Sequence, residues 1–282
     1  MNMIFITAIF FLLFWVIYRA YMNTRNVVIN KIQIGGHSNP DSPLTILQLS
    51  DLHLENISIS PKQLYDQLAG EEIDLIALTG DFLDRQRTID KLGPYLKALD
   101  KLNAKYGMFA VFGNHDYVLR GENFQRLRDT LRENGVTVLQ NESKIISING
   151  KLVNIIGIDD FSTGRSNLKE SYSQINQSLS TIVLTHDPNI VLHMKEYQYD
   201  YLMAGHFHGG QICYPKAYHL VKMGKLVRMN MIKGLHHHDG KPFYINEGLG
   251  QTGVNIRVGS RPEITFHYIS FPSAAIEEHA AV

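Results

Sequence analysis

The chain has 282 residues, of which 44% are hydrophobic and 19% are charged. This balance is typical of a globular protein, and the length fits one large α/β domain or two small ones. Lys plus Arg and Asp plus Glu both number 27, so the formal net charge is zero, and we expect no nucleic-acid partner. The single cysteine, Cys213, excludes an intrachain disulfide and a thiolate metal cluster.

The N-terminal segment is strongly apolar. Residues Met3–Tyr18 carry no charge, and Arg19 ends the run. A spanning helix needs about 20 apolar residues, which residues 20–22 supply if Arg19 snorkels to the interface. We predict an uncleaved transmembrane anchor over residues 1–22. A cleaved signal peptide is the alternative, but no Lys or Arg precedes the run and no Ala-x-Ala site follows it.

The basic residues nearest to this segment all follow it, at Arg19, Arg25 and Lys31. The positive-inside rule therefore predicts a single-pass protein of the cell membrane with its catalytic domain on the cytoplasmic face. Residues 23–43 are polar, contain glycine and include the stretch HSNPDSP. We predict that they form a tether.

From Leu44 onward, strand and helix patterns alternate. Apolar runs predict strands at Thr45–Leu49, Ile73–Thr79 and Met108–Phe112, and helical spacing predicts helices from Ser60-Pro61 to about Gly70, at Ile89–Leu102 and at Glu122–Glu133. Such alternation predicts an α/β fold with a mainly parallel sheet covered by helices.

The rhythm changes in the second half. Asn149-Gly150 lies between apolar alternations over Val136–Ile158, which predicts a hairpin. Further strands are predicted at Thr181–Thr185, Tyr199–Ala204 and in the stretches PFYINEG and EITFHYISF. We predict one domain over residues 44–271, followed by a flexible tail over residues 272–282.

Five predicted strands end in residues that can bind metals. In open α/β sheets, ligands gather beyond the carboxyl ends of the strands. Residues two apart in an extended chain point to one side, so each pair separated by one residue should face a common site. Nearby glycines, such as Gly80 and Gly113, let the backbone approach where a Cβ would obstruct. The candidate ligands are Asp51, His53, Asp81, Asn114, His186, His206 and His208.

Imidazole and carboxylate ligands suit Mn, Zn or Fe. These seven residues are too many for one ion but enough for two divalent metal ions, provided that one carboxylate bridges them. Two divalent ions bring four positive charges, and Asp51 and Asp81 return only two, so the site would attract an anionic phosphate. The alternative is that these are polar turn residues that follow strands by coincidence, which leaves the histidines unexplained.

In order along the chain, these blocks resemble the calcineurin-like metallophosphoesterase superfamily. The blocks are Asp51-x-His53, Gly80-Asp81, Gly113-Asn114-His115-Asp116, His186 and Gly205-His206-x-His208. The extension Gly209–Ile212, with residues 248–250 and 261–264, is similar to a membrane-associated bacterial branch that includes UDP-2,3-diacylglucosamine pyrophosphatases. The resemblance implies a four-layer α/β/β/α sandwich.

The resemblance also implies a role for each residue. His115 would be a non-ligand histidine that protonates the leaving oxygen or stabilises charge, and Asp116 would orient it. Thr185 stands where many members have glycine before the fourth block, which affects the surroundings of the His186 ligand. The first metal would have the ligands Asp51, His53, Asp81 and His208, and the second would have Asp81 as bridge, Asn114, His186 and His206.

The implied activity is hydrolysis of a phosphate ester or pyrophosphate by a hydroxide held between the two ions. A lipid-linked substrate such as UDP-2,3-diacylglucosamine fits the anchor and the branch, and a soluble nucleotide or phosphodiester is the alternative. The opposing function is a non-catalytic, membrane-anchored metal-binding scaffold. The intact His115-Asp116 pair favours the enzyme, because a scaffold needs no non-ligand histidine beside its metals.

Two further residues are candidates for substrate contact. Arg85 could reach a substrate phosphate with its guanidinium fork, and a structural ion pair with Asp84 is the alternative. His237 lies in a triple-histidine run that Lys233-Gly234 and Asp239-Gly240 flank, which predicts a solvated loop. The resembled family often lines its cleft with this region, so His237 is a candidate as well.

Overall fold

The computed structural model describes residues 2–35 and 43–271. The predicted tail over residues 272–282 and part of the predicted tether, residues 36–42, lie outside the described residues. The helices are α1 (Asn2–Asn23), α2 (Pro61–Leu68), α3 (Ile89–Asp100), α4 (Glu122–Glu133), α5 (Leu168–Ser171) and α6 (Lys225–Arg228). The strands are β1 (Val28–Ile34), β2 (Leu44–Leu49), β3 (Leu75–Thr79), β4 (Met108–Val111), β5 (Val136–Val138), β6 (Glu142–Ile148), β7 (Lys151–Gly157), β8 (Ser180–Leu184), β9 (Tyr201–Ala204), β10 (Gly234–His238), β11 (Lys241–Ile245) and β12 (Glu263–Ile269).

Helix α1 stands apart from the rest of the protein. Its 22 residues rise by about 33 Å at 1.5 Å per residue, close to the roughly 30 Å of a bilayer core. Residues 3–19 are exposed, and Ala20 is the first buried residue. Met3–Asn23 has a mean hydropathy of 2.2, so this helix is apolar and long enough to be a membrane anchor.

The tether prediction over residues 23–43 is wrong for the segment that forms β1. This strand pairs in parallel with β12, with Val28 opposite Glu263 and Ile34 opposite Ile269. Its side chains alternate between half-buried and exposed positions, which matches the alternation of apolar and polar residues in VINKIQI. The folded domain therefore begins before Leu44.

Both sheets have six strands. The first has the order β1-β12-β2-β3-β4-β5, in which β2 to β5 are parallel and β12 runs antiparallel to β2. The second has the order β10-β11-β9-β8-β7-β6, in which β7, β8, β9 and β11 are parallel. The parallel strands of both sheets thus supply carboxyl ends for a site.

Two hairpins form the two edges of the second sheet. The predicted turn at Asn149-Gly150 joins β6 to β7, and both of its residues have positive φ, as a type I′ turn requires. Asp239-Gly240 makes the same kind of turn between β10 and β11. His237 therefore lies in a strand, opposite Pro242, and the predicted solvated loop is wrong there.

Apolar layers on both sides of each sheet hold the fold together. One cluster, including Ile46 and Ile182, fills the space between the sheets. A second cluster packs α2, α3 and α4 on the first sheet, and a third packs α6 and short 3₁₀ turns on the second. This arrangement confirms the four-layer α/β/β/α sandwich.

Helix α2 begins as the sequence predicts. The Ser60 side chain accepts a hydrogen bond from the Gln63 N–H at 3.2 Å, and the Gln63 side chain accepts one from the Ser60 N–H at 2.8 Å. This reciprocal capping box satisfies two backbone donors that the first helical turn leaves unpaired. Leu64 and Leu68 are buried on its inner face and belong to the apolar cluster that covers the first sheet.

Candidate metal site

The candidate ligands at the strand ends converge into one buried cluster. One group of three contains Asp51, His53 and His208, and its ligand atoms lie within 4.8 Å of one another. A second group contains Asp81, His186 and His206, within the same limit. All six residues are buried. Carboxylates and imidazoles rarely share so little space without a cation.

In the first group, two imidazoles face each other. The Nε2 atoms of His53 and His208 are 3.2 Å apart, and Nε2 of His208 is 3.3 Å from Oδ1 of Asp51. Burial lowers the pKa of His53, and it lowers the pKa of His208 to about 3. Both rings are therefore neutral near pH 7, the state that binds metals.

In the second group, the tautomer of His186 is fixed. Its Nδ1 donates a hydrogen bond to the Thr79 carbonyl at 2.8 Å, which leaves the lone pair on Nε2. That Nε2 lies 3.0 Å from Oδ2 of Asp81 and 3.2 Å from Nδ1 of His206. Burial opposes charge on the ring, but the carboxylates of Asp81 and Asp51 outweigh it and raise the pKa of His186. Nε2 therefore occupies a position that favours positive charge.

Asp81 lies between the two groups. Its Oδ2 is 3.0 Å from Nε2 of His186 and 3.6 Å from Nε2 of His53, and its Oδ1 accepts a hydrogen bond from the His115 N–H at 2.8 Å. Burial opposes its charge, yet His186 and His53 hold the pKa of Asp81 well below its usual range. An ionised carboxylate in this position is able to contact cations on both sides.

Asn114 adds an oxygen that has no partner. Within residues 2–35 and 43–271, its Oδ1 is buried and accepts no hydrogen bond. Unpaired buried oxygens are costly, and a cation would satisfy this one. Together the cluster offers imidazole nitrogens, carboxylate oxygens and an amide oxygen, a donor set that fits divalent ions such as Mn, Zn or Fe.

Five of the candidate ligands adopt the left-handed backbone conformation, which directs their side chains into the cluster. We expected Asp51 and His53 to share a side because the chain is extended, and this geometric reason is wrong. The strands end before the ligands, and the chain then turns sharply. Residues held in this conformation cost free energy and concentrate at functional sites. The ligands with positive φ are Asp51 (50°), His53 (37°), Asp81 (55°), His206 (79°) and His208 (50°).

The glycines beside the ligands leave the space that the sequence predicts. A Cβ on Gly113 would lie 2.2 Å from Oδ1 of Asp81, and one on Gly80 would lie 2.9 Å from Nδ1 of His186. A Cβ on Gly205 would lie 1.9 Å from Oγ of Ser50. Side chains at these positions would displace the ligands.

Asp116 does not orient His115. Its carboxylate is fully buried and accepts four backbone hydrogen bonds. The donors are the N–H groups of Asp81 (2.9 Å), Phe82 (2.8 Å), Leu83 (3.3 Å) and Gly113 (2.9 Å). Asp116 therefore ties the loop after β3 to the loop after β4.

His115 has a different carboxylate beside it. Its Nδ1 lies 3.6 Å from Oδ2 of Asp84 and makes no hydrogen bond to any described residue. The ring is partly exposed and stands edge-on to His53, with 4.8 Å between ring centroids. His115 is thus next to the ligand cluster while reaching solvent.

The ligand cluster opens into a cavity of about 720 Å³. Asp81, Asn114, His115, His206 and His208 form part of its wall. The opposite wall is mainly apolar and includes Ile212, Leu220, Met223 and Val254.

The family model for calcineurin-like phosphoesterases matches residues 44–210, more than half of the chain. The chain belongs to this family. It is 62% identical to the uncharacterized metallophosphoesterase YkoQ of Bacillus subtilis, over 90% of this chain and 94% of that protein. Metallophosphoesterases hydrolyse phosphate esters with bound metal. This protein is an enzyme of that class.

More distant relatives have more specific names. The phosphoesterase is 27% identical to the UDP-2,3-diacylglucosamine pyrophosphatase LpxG of Chlamydia trachomatis, over 78% of this chain and 82% of that protein. It is 27% identical to the phosphodiesterase YaeI of Escherichia coli, over 79% and 81%. Among solved structures, the phosphopantetheinyl hydrolase of Mycobacterium tuberculosis has a TM-score of 0.45 at 13% identity, covering 72% of this chain and 89% of that one.

The two candidate substrate contacts lie outside the cavity wall of this phosphoesterase. The Arg85 side chain is exposed, and its Nε is 3.9 Å from Oδ1 of Asp84. Asp84 in turn lies beside His115, so Asp84 stands between Arg85 and the ligand cluster. His237 lies towards the amino-terminal end of β11, opposite Pro242, whereas the ligand cluster is beyond the carboxyl ends of the strands. The structure brings neither side chain to the candidate metal ligands.

Arg257 is a site residue that the sequence does not reveal. It is fully buried, and burial lowers its pKa to about 10, so it stays charged near neutral pH. It donates hydrogen bonds to carbonyl groups on both sides of the phosphoesterase site, at His208, Glu247, Gly248, Gly250 and Arg261. Nothing in its local sequence marks it, because its carbonyl partners come from other segments of the folded chain.

Proposed function

We propose that this phosphoesterase hydrolyses a phosphate ester or pyrophosphate with two divalent ions at the ligand cluster, and that α1 anchors it in the cell membrane. The observation that carries the proposal is the position of Asp81 between two groups of buried ligand atoms. One shared carboxylate with nitrogen donors on both sides is the arrangement that a pair of ions requires.

The ligands divide between the ions by proximity. The net charge of four from two ions exceeds the two negative charges of Asp51 and Asp81, so the site attracts phosphate. Mn, Zn and Fe all accept these donor types. The first ion would be held by Asp51, His53, Asp81 and His208, and the second by Asp81, Asn114, His186 and His206.

When bound, two divalent ions acidify a water molecule and neutralise negative charge that develops on the phosphate. The protein's own residues do the rest. Asp51 and Asp81 hold the cluster together, and His115 protonates the leaving oxygen or donates a hydrogen bond to the phosphate. Oδ2 of Asp84 lies 3.6 Å from Nδ1 of His115, beyond direct hydrogen-bond distance, so Asp84 acts on the ring through its negative charge. We therefore assign to Asp84 the positioning role that the family resemblance gives to Asp116.

The orientation in the membrane and the substrate class rest on the flanking charges, the cavity wall and the relatives. Arg19, Arg25 and Lys31 after the apolar helix support a domain on the cytoplasmic face. The apolar wall of the cavity and the similarity to LpxG support a lipid-linked phosphate or pyrophosphate. A soluble phosphodiester is the competing substrate, since YaeI is named a phosphodiesterase.

The test uses the full chain in a mild detergent, stripped of metal and then reloaded with Mn²⁺, with bis(p-nitrophenyl) phosphate as substrate. We expect turnover that depends on the metal. His115→Ala should keep its metal content and lose about 10²–10⁴-fold in turnover, the usual contribution of a general acid. Asp81→Asn should bind less metal at both positions.

His237→Ala is the matched control, since it removes an exposed imidazole far from the cluster. If His115→Ala and Asp81→Asn both kept full activity, the assignment of the site would be wrong. If the metal-loaded protein bound two ions but hydrolysed neither phosphodiesters nor a nucleoside diphosphate lipid, the scaffold function would replace the enzyme.

A further inference from the structure

A basic and apolar surface borders the cavity. Residues 212–229 contain exposed apolar side chains, among them Tyr218 and Val221, and no acidic residue. We define these residues together with Val254 as the rim. Its exposed cations are Lys216, Lys222, Lys225 and Arg228.

The rim continues the apolar wall of the cavity to the surface. Ile212 and Val254 both line the cavity and are both exposed. In the 3₁₀ turn Tyr218–Lys222, Leu220 lines the cavity while Val221 points outward and is 53% exposed. Apolar side chains therefore run from the exposed rim into the cavity that contains the ligand cluster.

The rim is also attached to the end of α1. Ile212 forms a parallel bridge with Val258, and the preceding residue, Arg257, donates its backbone N–H to the Ala20 carbonyl at 2.9 Å. Strand spacing and chain geometry then place Ile212 on the order of 10–15 Å from the end of the helix. The rim and the anchor therefore occupy one region of the surface.

The joint between helix and domain is firm. The Asn23 side chain donates to the Arg257 carbonyl at 3.0 Å, and the Thr24 and Ser58 hydroxyls are 2.7 Å apart. Ala20 and Thr24 are buried, while residues 3–19 are exposed. If α1 spans the membrane, the bilayer must begin next to Ala20, at the same face as the rim.

We propose that the rim lies on the surface of an anionic lipid leaflet. This inference rests on the membrane-anchored enzyme proposed above. Tyrosine and aliphatic side chains enter the headgroup layer, and lysine and arginine pair with lipid phosphates, as in interfacial segments. The substrate is then a membrane amphiphile whose phosphate enters the cavity from the bilayer. The absence of acidic residues from residues 212–229 favours an anionic lipid surface.

The first experiment tests membrane contact without using activity. Full-length protein that carries Cys213→Ser and either Val221→Cys or Leu152→Cys is labelled with a fluorophore and placed in phosphatidylcholine–phosphatidylglycerol vesicles that contain a headgroup quencher. Leu152 is the control because it is exposed and apolar but lies near the start of β7, at the end of the strand away from the site. We expect at least threefold stronger quenching at residue 221.

The second experiment compares two substrates with one leaving group, a diacylglycerol p-nitrophenyl phosphate in the same vesicles and soluble bis(p-nitrophenyl) phosphate. Val221→Asp with Lys222→Glu should lower the ratio of the lipid rate to the soluble rate by tenfold or more. The matched control, Leu152→Asp with Lys144→Glu, should change this ratio by less than twofold.

The outcomes separate this inference from the proposed function. Equal quenching at residues 221 and 152 would refute the rim as a membrane surface, even if the enzyme were active. An unchanged rate ratio in the rim variant would refute delivery of substrate from the bilayer. Wild-type protein that hydrolysed neither ester nor a nucleoside diphosphate lipid would refute the proposed function, while the quenching result would still decide whether the rim contacts lipid.

Discussion

Replacing Asp116 by Asn distinguishes two roles for this residue. The family resemblance gives it the orientation of His115, whereas the structure gives it four backbone hydrogen bonds between the loops after β3 and β4. The amide of asparagine has the same shape but accepts at one oxygen only. Its NH₂ group would face backbone N–H donors that the second carboxylate oxygen now satisfies.

The expected loss follows from these contacts. Each oxygen of Asp116 accepts from two N–H groups, and burial together with the charge of Asp81 raises the pKa of Asp116 well above its usual range. The substitution leaves two buried N–H donors without an acceptor. At roughly 1–3 kcal/mol for each unsatisfied donor, the free energy of unfolding should fall by about 2–6 kcal/mol. This is a large share of the roughly 5–15 kcal/mol that stabilises a typical domain.

The assay is urea unfolding of the full chain in detergent, with and without Mn²⁺, together with measurement of bound metal. Asp116→Asn should lower the unfolding free energy and the metal content, because the loops carry Asp81 and Asn114. Asp84→Asn is the control, since it removes the carboxylate beside His115 and should lower turnover alone. Unchanged stability and metal content in Asp116→Asn, with reduced turnover, would refute our reasoning.

Three further predictions concern the site and the core. Gly205→Ala places a Cβ 1.9 Å from Oγ of Ser50 and 2.3 Å from Oδ2 of Asp51. The free energy of unfolding should therefore fall by about 1–3 kcal/mol, as in other overpacked sites, and calorimetry should show weaker Mn²⁺ binding. Unaltered binding would contradict this prediction. Removal of metal by a chelator should lower the melting temperature, because a bound ion at 100 times its Kd adds about 2.7 kcal/mol per site to the free energy of unfolding. Scanning calorimetry with and without Mn²⁺ measures this change. Equal curves would argue against ions in the buried cluster. Burial lowers the pKa of His267 to about 3, from 6.5, so between these values the unfolded chain binds a proton that the folded chain does not, and stability falls as pH falls. His267→Gln should reduce the slope of the unfolding free energy by about 1.4 kcal/mol per pH unit, and unfolding curves at pH 4, 5 and 6 with the same slope as wild type would disprove it.

The sequence predicts best what depends on local pattern. Helix α4 begins and ends at the predicted residues, and α3 ends at Asp100, two residues before its predicted end. The ligand cluster was predictable for a related reason, since parallel strands bring residues at their carboxyl ends to one edge. The predicted convergence needs only the order of the strands and the position of each ligand after its strand.

The sequence predicts poorly what depends on distant partners. The partner of strand β1, β12, is far along the chain, so no local window contains the pair. The backbone donors that occupy Asp116 and the carbonyl groups around Arg257 likewise come from separate loops. A carboxylate beside a histidine in sequence suggested a contact in space, but the chain turns Asp116 towards the backbone of Asp81 instead.

The place of β12 between β1 and β2 has a consequence for the order in which the protein assembles during synthesis. Glu263 follows Ile34 by 229 residues (263 − 34), so at roughly 5–20 residues per second the ribosome needs about 11–46 s to make the partner of β1. Until β12 is made, β1 and β2 each present an open edge, although the last candidate metal ligand, His208, precedes β12 along the chain. Exposed strand edges invite pairing with other chains. The nascent protein is therefore most prone to aggregation after its site is complete in sequence and before its first sheet is closed.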